Sequence, residues 1–191
     1  MSNTKSRLLI AVAAIAIGAG AAGGLGVVAA QANPMVGGAA MYANKNIVEN
    51  AMNSKDHTTL VAAVKAAGLV DTLEGPGPFT VFAPTNEAFD KLPAGTVQTL
   101  VQPENKAMLT KILTYHVVPG HLTSGDLKRM IAAGGGKATL TTVEGEPLTV
   151  SEGGMGHLVL TDAKGGMSTI TTANVMQSNG VIHVVNSVLM P

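Results

Sequence analysis

A chain of 191 residues with a formal net charge of zero, 46% apolar, 3% aromatic and 13% charged, has room for one domain plus an extension. Its basic residues stand singly apart from Lys128-Arg129, so the concentrated cationic face that nucleic-acid binding requires is missing. The absence of cysteine excludes disulfides, thiolate chemistry and acylation as a lipoprotein.

The chain opens with Lys5 and Arg7, followed by an uncharged run from Leu8 to Ala30 and the small-residue ending Ala30-Gln31-Ala32. This is the pattern of a secretory signal over residues 1–32, with cleavage expected after Ala32. The competing reading is a retained membrane anchor, for which the run is long enough. Its many glycines and the Ala-x-Ala ending favour cleavage, and no stable membrane insertion is expected afterwards. Loss of Lys5 and Arg7, from twelve residues of each sign, leaves a formal net charge of −2. Residues 33–43, with Pro34, Gly37 and Gly38 and no periodicity, read as a flexible lead.

From Asn46 the apolar spacing turns helical. Ile47, Val48, Ala51 and Met52 share one face, and Asp56 is placed to cap a second helix carrying Leu60, Val61, Val64 and Ala67, which Gly68 ends. Leu69 to Leu73 reads as buried. Gly75-Pro76-Gly77-Pro78 is a turn. Phe79 to Phe82 reads as a half-buried strand, Pro84 stops it, Thr85 caps a helix with Glu87 in its first turn, and Phe89 points back inward. A helical turn at 96–101 precedes a helix that starts at Pro103, presents Met108, Leu109, Ile112 and Leu113, and runs into Tyr115-His116. Val117-Val118 is a short strand closed by Pro119-Gly120. Ser124 is placed to cap a helix through Leu127, Met130 and Ile131, ended by Gly134 to Gly136. Strands are then predicted over 138–143, 148–151, 158–161, 169–175, 181–185 and 188–190, with Asn179-Gly180 as a tight turn. Helices lead and strands follow, which makes the fold class α+β.

Three stretches carry a resemblance. Thr80 to Phe89, TVFAPTNEAF, resembles the first signature block of the fasciclin domain; Tyr115 to Gly120, YHVVPG, is similar to its Tyr-His motif; and Asn179 to Pro191, NGVIHVVNSVLMP, to its C-terminal block. The resemblance covers residues 44–191. It implies a wedge of two β-sheets with several helices packed at one side, in a secreted or surface-displayed adhesion module. It also implies mainly structural roles for Thr80, Phe82, Pro84, Thr85, Asn86, Phe89, Tyr115, His116, Asn179, Gly180 and His183. In animal fasciclin domains that are integrin ligands, an Asp precedes an aliphatic pair just before the C-terminal block. Here Asn174, Val175 and Met176 stand at that place and are the candidate partner-binding residues. An amide cannot give the charge that a bound cation needs, so the resemblance does not extend to adhesion by that mechanism. Asn186 likewise stands where many relatives carry Asp, which points to a hydrogen-bonding role.

Catalytic patterns are lacking. His57, His116, His121, His157 and His183 form no pair at metal-ligand spacing, and no serine sits in a Gly-x-Ser-x-Gly elbow. Glu144 and Glu146 flank a hairpin turn and read as solvating it. The Gly18 to Gly23 match to GxGxxG lies in the signal segment with no strand before it, so it fails on context. Met52, Met108 and Met130 read as core filling. The expectation is a non-enzymatic module with no cofactor and no metal, at the cell surface or in the periplasm, whose partner is a protein or a glycan. The alternative is a carrier of a small apolar molecule such as a pigment or lipid, and it requires an apolar pocket of several hundred Å3.

Overall fold

The computed structural model describes residues 33–191; the expected signal segment and its cleavage site lie outside the described residues. The stretch 33–43 is not the irregular lead its composition suggests. Strands β1 (Met35–Val36) and β2 (Ala39–Ala40) pair as a hairpin, with Gly37 and Gly38 at positive φ supplying the reversal. Val36 and Met41 are buried by it.

Helix α1 (Ile47–Asn53) starts in a capping box, with the Asn46 side chain accepting from Glu49 N–H at 2.8 Å and Glu49 accepting from Asn46 N–H at 2.9 Å. Helix α2 (Thr58–Ala67) ends at Gly68, which sits at φ 72 in the left-handed region. Asp56 does not cap α2. It lies in a short 3-10 turn, and the Thr59 N–H goes instead to Asn86 Oδ1 at 3.0 Å. Helix α3 (Val70–Glu74) leads to strand β3 (Phe79–Pro84), and Thr85 caps the short helix α4 (Asn86–Asp90) as expected, accepting from Ala88 N–H at 3.3 Å. Helices α5 (Thr96–Leu100) and α6 (Lys106–Tyr115) follow, with Pro103 opening a 3-10 turn just before α6. After strand β4 (Val117–Pro119), helix α7 (Ser124–Ala133) is capped by Thr123 and not by Ser124; Asp126 completes the capping box.

The strands β5 (Lys137–Thr141), β6 (Pro147–Glu152), β7 (Leu158–Thr161), β8 (Met167–Gln177) and β9 (Gly180–Val185) join β3 and β4 in the order β4-β3-β9-β8-β7-β6-β5. β8 belongs to both halves of the wedge. Its first residues pair with β7 and the rest with β9, across irregularities between Ile170 and Val175. Residues 188–190 form no strand: Leu189 N–H donates to His116 Nε2 at 3.0 Å and Met190 N–H to Asp162 at 3.0 Å. The β8–β9 turn is also one residue earlier than predicted, because Gln177 faces Gly180 and leaves Ser178-Asn179 between them. Gly180 is required for a different reason: a Cβ there would overlap the Phe79 carbonyl of the neighbouring strand.

β3 and β9 run parallel in the middle of the sheet, so both of their faces are covered. Val81, Ala83, Ile182 and Val184 join α1, α2, α3 and α6 in one core, while Phe82 and Val185 join α7 and β5–β7 in a second. The half-buried strand expected at 79–82 is therefore buried on two sides. Met52 and Met108 are exposed, not core; Leu109, Ile112 and Leu113 are the buried face of α6.

Candidate functional site

The polar residues of the three motifs are placed first by what they satisfy. Asn86 Oδ1 accepts from Thr59 N–H of α2 and its Nδ2 donates to Lys55 O at 2.9 Å. Asn179 Oδ1 accepts from Ile47 N–H of α1 at 3.1 Å, and Nδ2 donates to Leu73 O and Gly75 O at the end of α3. Asn174 Oδ1 accepts from Ser124 N–H of α7 at 2.7 Å, and Nδ2 donates to Ser124 Oγ at 2.7 Å. Each of these amides binds the free N–H groups of a helix start that is remote in sequence. An acceptor joined to a donor suits this task, which a carboxylate performs only in part.

Buried hydroxyls and imidazoles do the same for loops. Thr80 Oγ1 donates to Gly120 O at 2.7 Å and accepts from Leu122 N–H at 2.9 Å. The His183 ring stacks on Phe82 with centroids 5.7 Å apart, its Nε2–H donates to Leu122 O at 2.8 Å, and Nδ1 accepts from Asn174 N–H at 3.4 Å. His116 Nδ1–H donates to Ile112 O at 2.8 Å while Nε2 accepts from Leu189 N–H. Tyr115 donates to Pro147 O at 2.9 Å and accepts from Ala163 N–H at 3.1 Å. Burial lowers the pKa of both histidines, His116 to about 4, so both are neutral. Pro84 and Phe89 are buried apolar neighbours of this frame. These contacts tie together elements that are remote in the chain.

The candidate partner-binding trio does not act as one surface. Val175 is 1% exposed, Asn174 is committed to α7, and only Met176, at 37%, offers its side chain to solvent. Asn174 has φ 59, the left-handed value that Asn tolerates, and it sits in the β8 irregularity. Glu144 and Glu146 do more than solvate their turn, since both reach Lys111 of α6, at 3.5 and 2.9 Å. Among the described residues no three His, Asp or Glu side chains converge as a metal site, and no helix is long and apolar enough to cross a membrane.

Two recesses stand out. An apolar cleft between α1, α2, α3 and the sheet, lined by Val48, Val61, Val64, Leu73 and Val81 with Lys65 at its edge, encloses about 40 Å3. That space takes a few water-sized bodies, against the ~300 Å3 or more of a site enclosing a drug-sized ligand. The second recess is a polar groove of about 210 Å3 at the fork where β7 and β8 part, lined by Ser124 and Lys128 of α7, His157 and Leu158, and Thr171 and Ala173. Lys128 lies 3.8 Å from Glu152 at the rim, with both side chains about half exposed. The residues of this groove come from three separate segments, so no local pattern in the sequence marks it.

Fold and polar frame define a single α+β module in which one sheet is folded along a shared strand. The chain belongs to the fasciclin domain family, whose model matches residues 55–191. It is 46% identical over 159 residues to a protein of Synechocystis sp., sll1483, covering 82% of this chain and 79% of that one. It is 34% identical over 160 residues to the cell surface glycolipoprotein MPB83 of Mycobacterium bovis, covering 81% and 64%. A fasciclin domain pair from the insect cell adhesion molecule Fasciclin I superposes with a TM-score of 0.68 at 19% identity, over 77% of this chain and 51% of the pair.

Proposed function

We propose that this protein is an exported, non-enzymatic binding module that acts at the cell surface or in the periplasm, by holding a protein partner. The observation that carries the reading is the contrast between its recesses: the polar, open groove at the β7–β8 fork has room for part of a partner, and the apolar cleft is too small to enclose a pigment or lipid. Support also comes from the family, from the description of Fasciclin I as a cell adhesion molecule and of MPB83 as a cell surface protein, and from the leader pattern of residues 1–32. The family's buried polar residues are spent on structure, which leaves none of them for acid–base work.

The test is adhesion of protein-coated beads to the producing organism's own cells, alongside native mass spectrometry of protein purified from its envelope. Saturable adhesion that is abolished by protease treatment of the cells, with a bare mature mass, is the expected result. A co-purifying apolar molecule without adhesion overturns the reading in favour of a carrier. Adhesion that survives protease and is blocked by soluble glycans replaces the protein partner with a sugar.

A further inference from the structure

We infer that the groove at the β7–β8 fork takes an extended, acidic peptide segment of the partner, added as a short strand to the free edge of β8. This rests on the binding-module reading above. β7 pairs with β8 at Val159↔Thr169, Leu160↔Ser168 and Thr161↔Met167, and the pairing stops there. β7 itself continues to Leu158, held by Glu152 of β6. β8 also continues, with β9 on its other edge at Ile170↔Val185 and Thr172↔Val184, across the register shifts that bend the strand here. Between Ile170 and Ala173, therefore, β8 has a strand neighbour on one edge only, and the groove opens along the other. A backbone edge without a partner is a template for another strand, and main-chain pairing of this kind is a common mode of peptide recognition.

The ends of the free stretch are fixed. The Val159–Thr169 pair closes one, and the double hydrogen bond from Asn174 to Ser124 closes the other. Four residues give an edge of at most ~13 Å, room for a short strand that follows the bend of β8. Ala173 is small, which lets a second backbone approach. The charge of the guest follows from the lining. Lys128 is the cation of the groove, and its rim partner Glu152 stands off at 3.8 Å with both side chains solvated, a weak pair that a carboxylate on the guest can displace.

The test uses a blocked pentapeptide of alternating valine and aspartate, added to the isotope-labelled protein and followed by amide NMR shifts and hydrogen exchange. Expected are shifts and slowed exchange confined to 170–173, with responses at Lys128 and His157. Lys128→Glu is expected to weaken the peptide about tenfold with an unchanged melting midpoint, and Glu152→Gln to tighten it severalfold by releasing Lys128. Shifts that map elsewhere, equal binding of the lysine-for-aspartate peptide, or no shifts at millimolar peptide each overturn the inference. Bead adhesion separates the two levels. If Lys128→Glu adheres as well as the unaltered protein, the acidic strand at Lys128 is wrong while the binding-module reading stands on the adhesion itself; if the unaltered protein does not adhere, both fall.

Discussion

Asn179 and Ile47 lie 132 residues apart in the chain and are joined by a 3.1 Å hydrogen bond from the Ile47 N–H to the Asn179 side chain. The same amide donates to two carbonyls at the end of α3. Asn179→Ala removes all three bonds and leaves one helix N–H and two carbonyls without their partner. The expected loss is about 1–3 kcal/mol in urea unfolding. Asn179→Asp restores the acceptor alone and falls between the two; an alanine variant as stable as the parent would show that the clasp carries no net energy.

His116 makes stability depend on pH. Its folded pKa is lowered to about 4 from an ordinary value near 6.5, so below 6.5 the unfolded chain takes up a proton that the folded one refuses. Stability is therefore fully present above pH ~6.5 and falls as the pH drops toward ~4, by about 3 kcal/mol over the whole window. His183, lowered in the same direction by burial, adds to the slope. Denaturant midpoints measured across this range check it. His116→Gln is expected to be less stable at neutral pH and to show a flatter pH dependence.

Phe82 is fully buried in the second core, with His183 stacked on its ring. Phe82→Ala is expected to cost ~3–5 kcal/mol. Met108→Gln, at an exposed site, is expected to stay within ~0.5 kcal/mol. Parallel chemical melts of the two variants check both, and a large loss at Met108 would place that side chain in the core after all.

Thr80 is the polar hinge between β3 and the Gly120–Leu122 loop. Thr80→Val keeps the shape and orphans the Gly120 carbonyl and the Leu122 N–H, an expected loss of ~1–3 kcal/mol, whereas Thr80→Ser retains both bonds. Because Leu122 O also accepts a hydrogen bond from the His183 Nε2–H, faster amide exchange around residue 122 in the valine variant is the accompanying sign.

The local parts of this fold were legible in the sequence. The Pro84-Thr85 switch from strand to helix, the presence of α2 and α6 and the end of α2 at Gly68 follow from neighbours in the chain, while the structural roles of Tyr115 and His116 come with the family resemblance. What escaped is non-local. Asp56 and Ser124 were reasonable caps by position, but Asn86 and Thr123 take those tasks, the first from 27 residues away. Met108 shares the i, i+4 spacing of its neighbours, yet the buried arc of α6 is centred on Leu109, Ile112 and Leu113. The trio at 174–176 failed as a surface for a similar reason: β8 is irregular there, so Val175 turns into the first core and Asn174 toward α7. The fork groove left no pattern in the sequence, because unpaired edges arise from what neighbouring strands do.

β9 occupies the middle of the sheet, between β3 and β8, although it is the last strand in the chain. A growing polypeptide therefore has α1–α7 and β1–β8 out before β9 arrives to fill the place between β3 and β8. The pairing of β9 with β8 is a local hairpin, but its pairing with β3, from Phe79↔Gly180 to Pro84↔Val185, closes a loop that takes in most of the domain, and non-local pairing of this kind folds slowly. The seam between β3 and β8 therefore closes only once the last strand of the described residues is available to fill it.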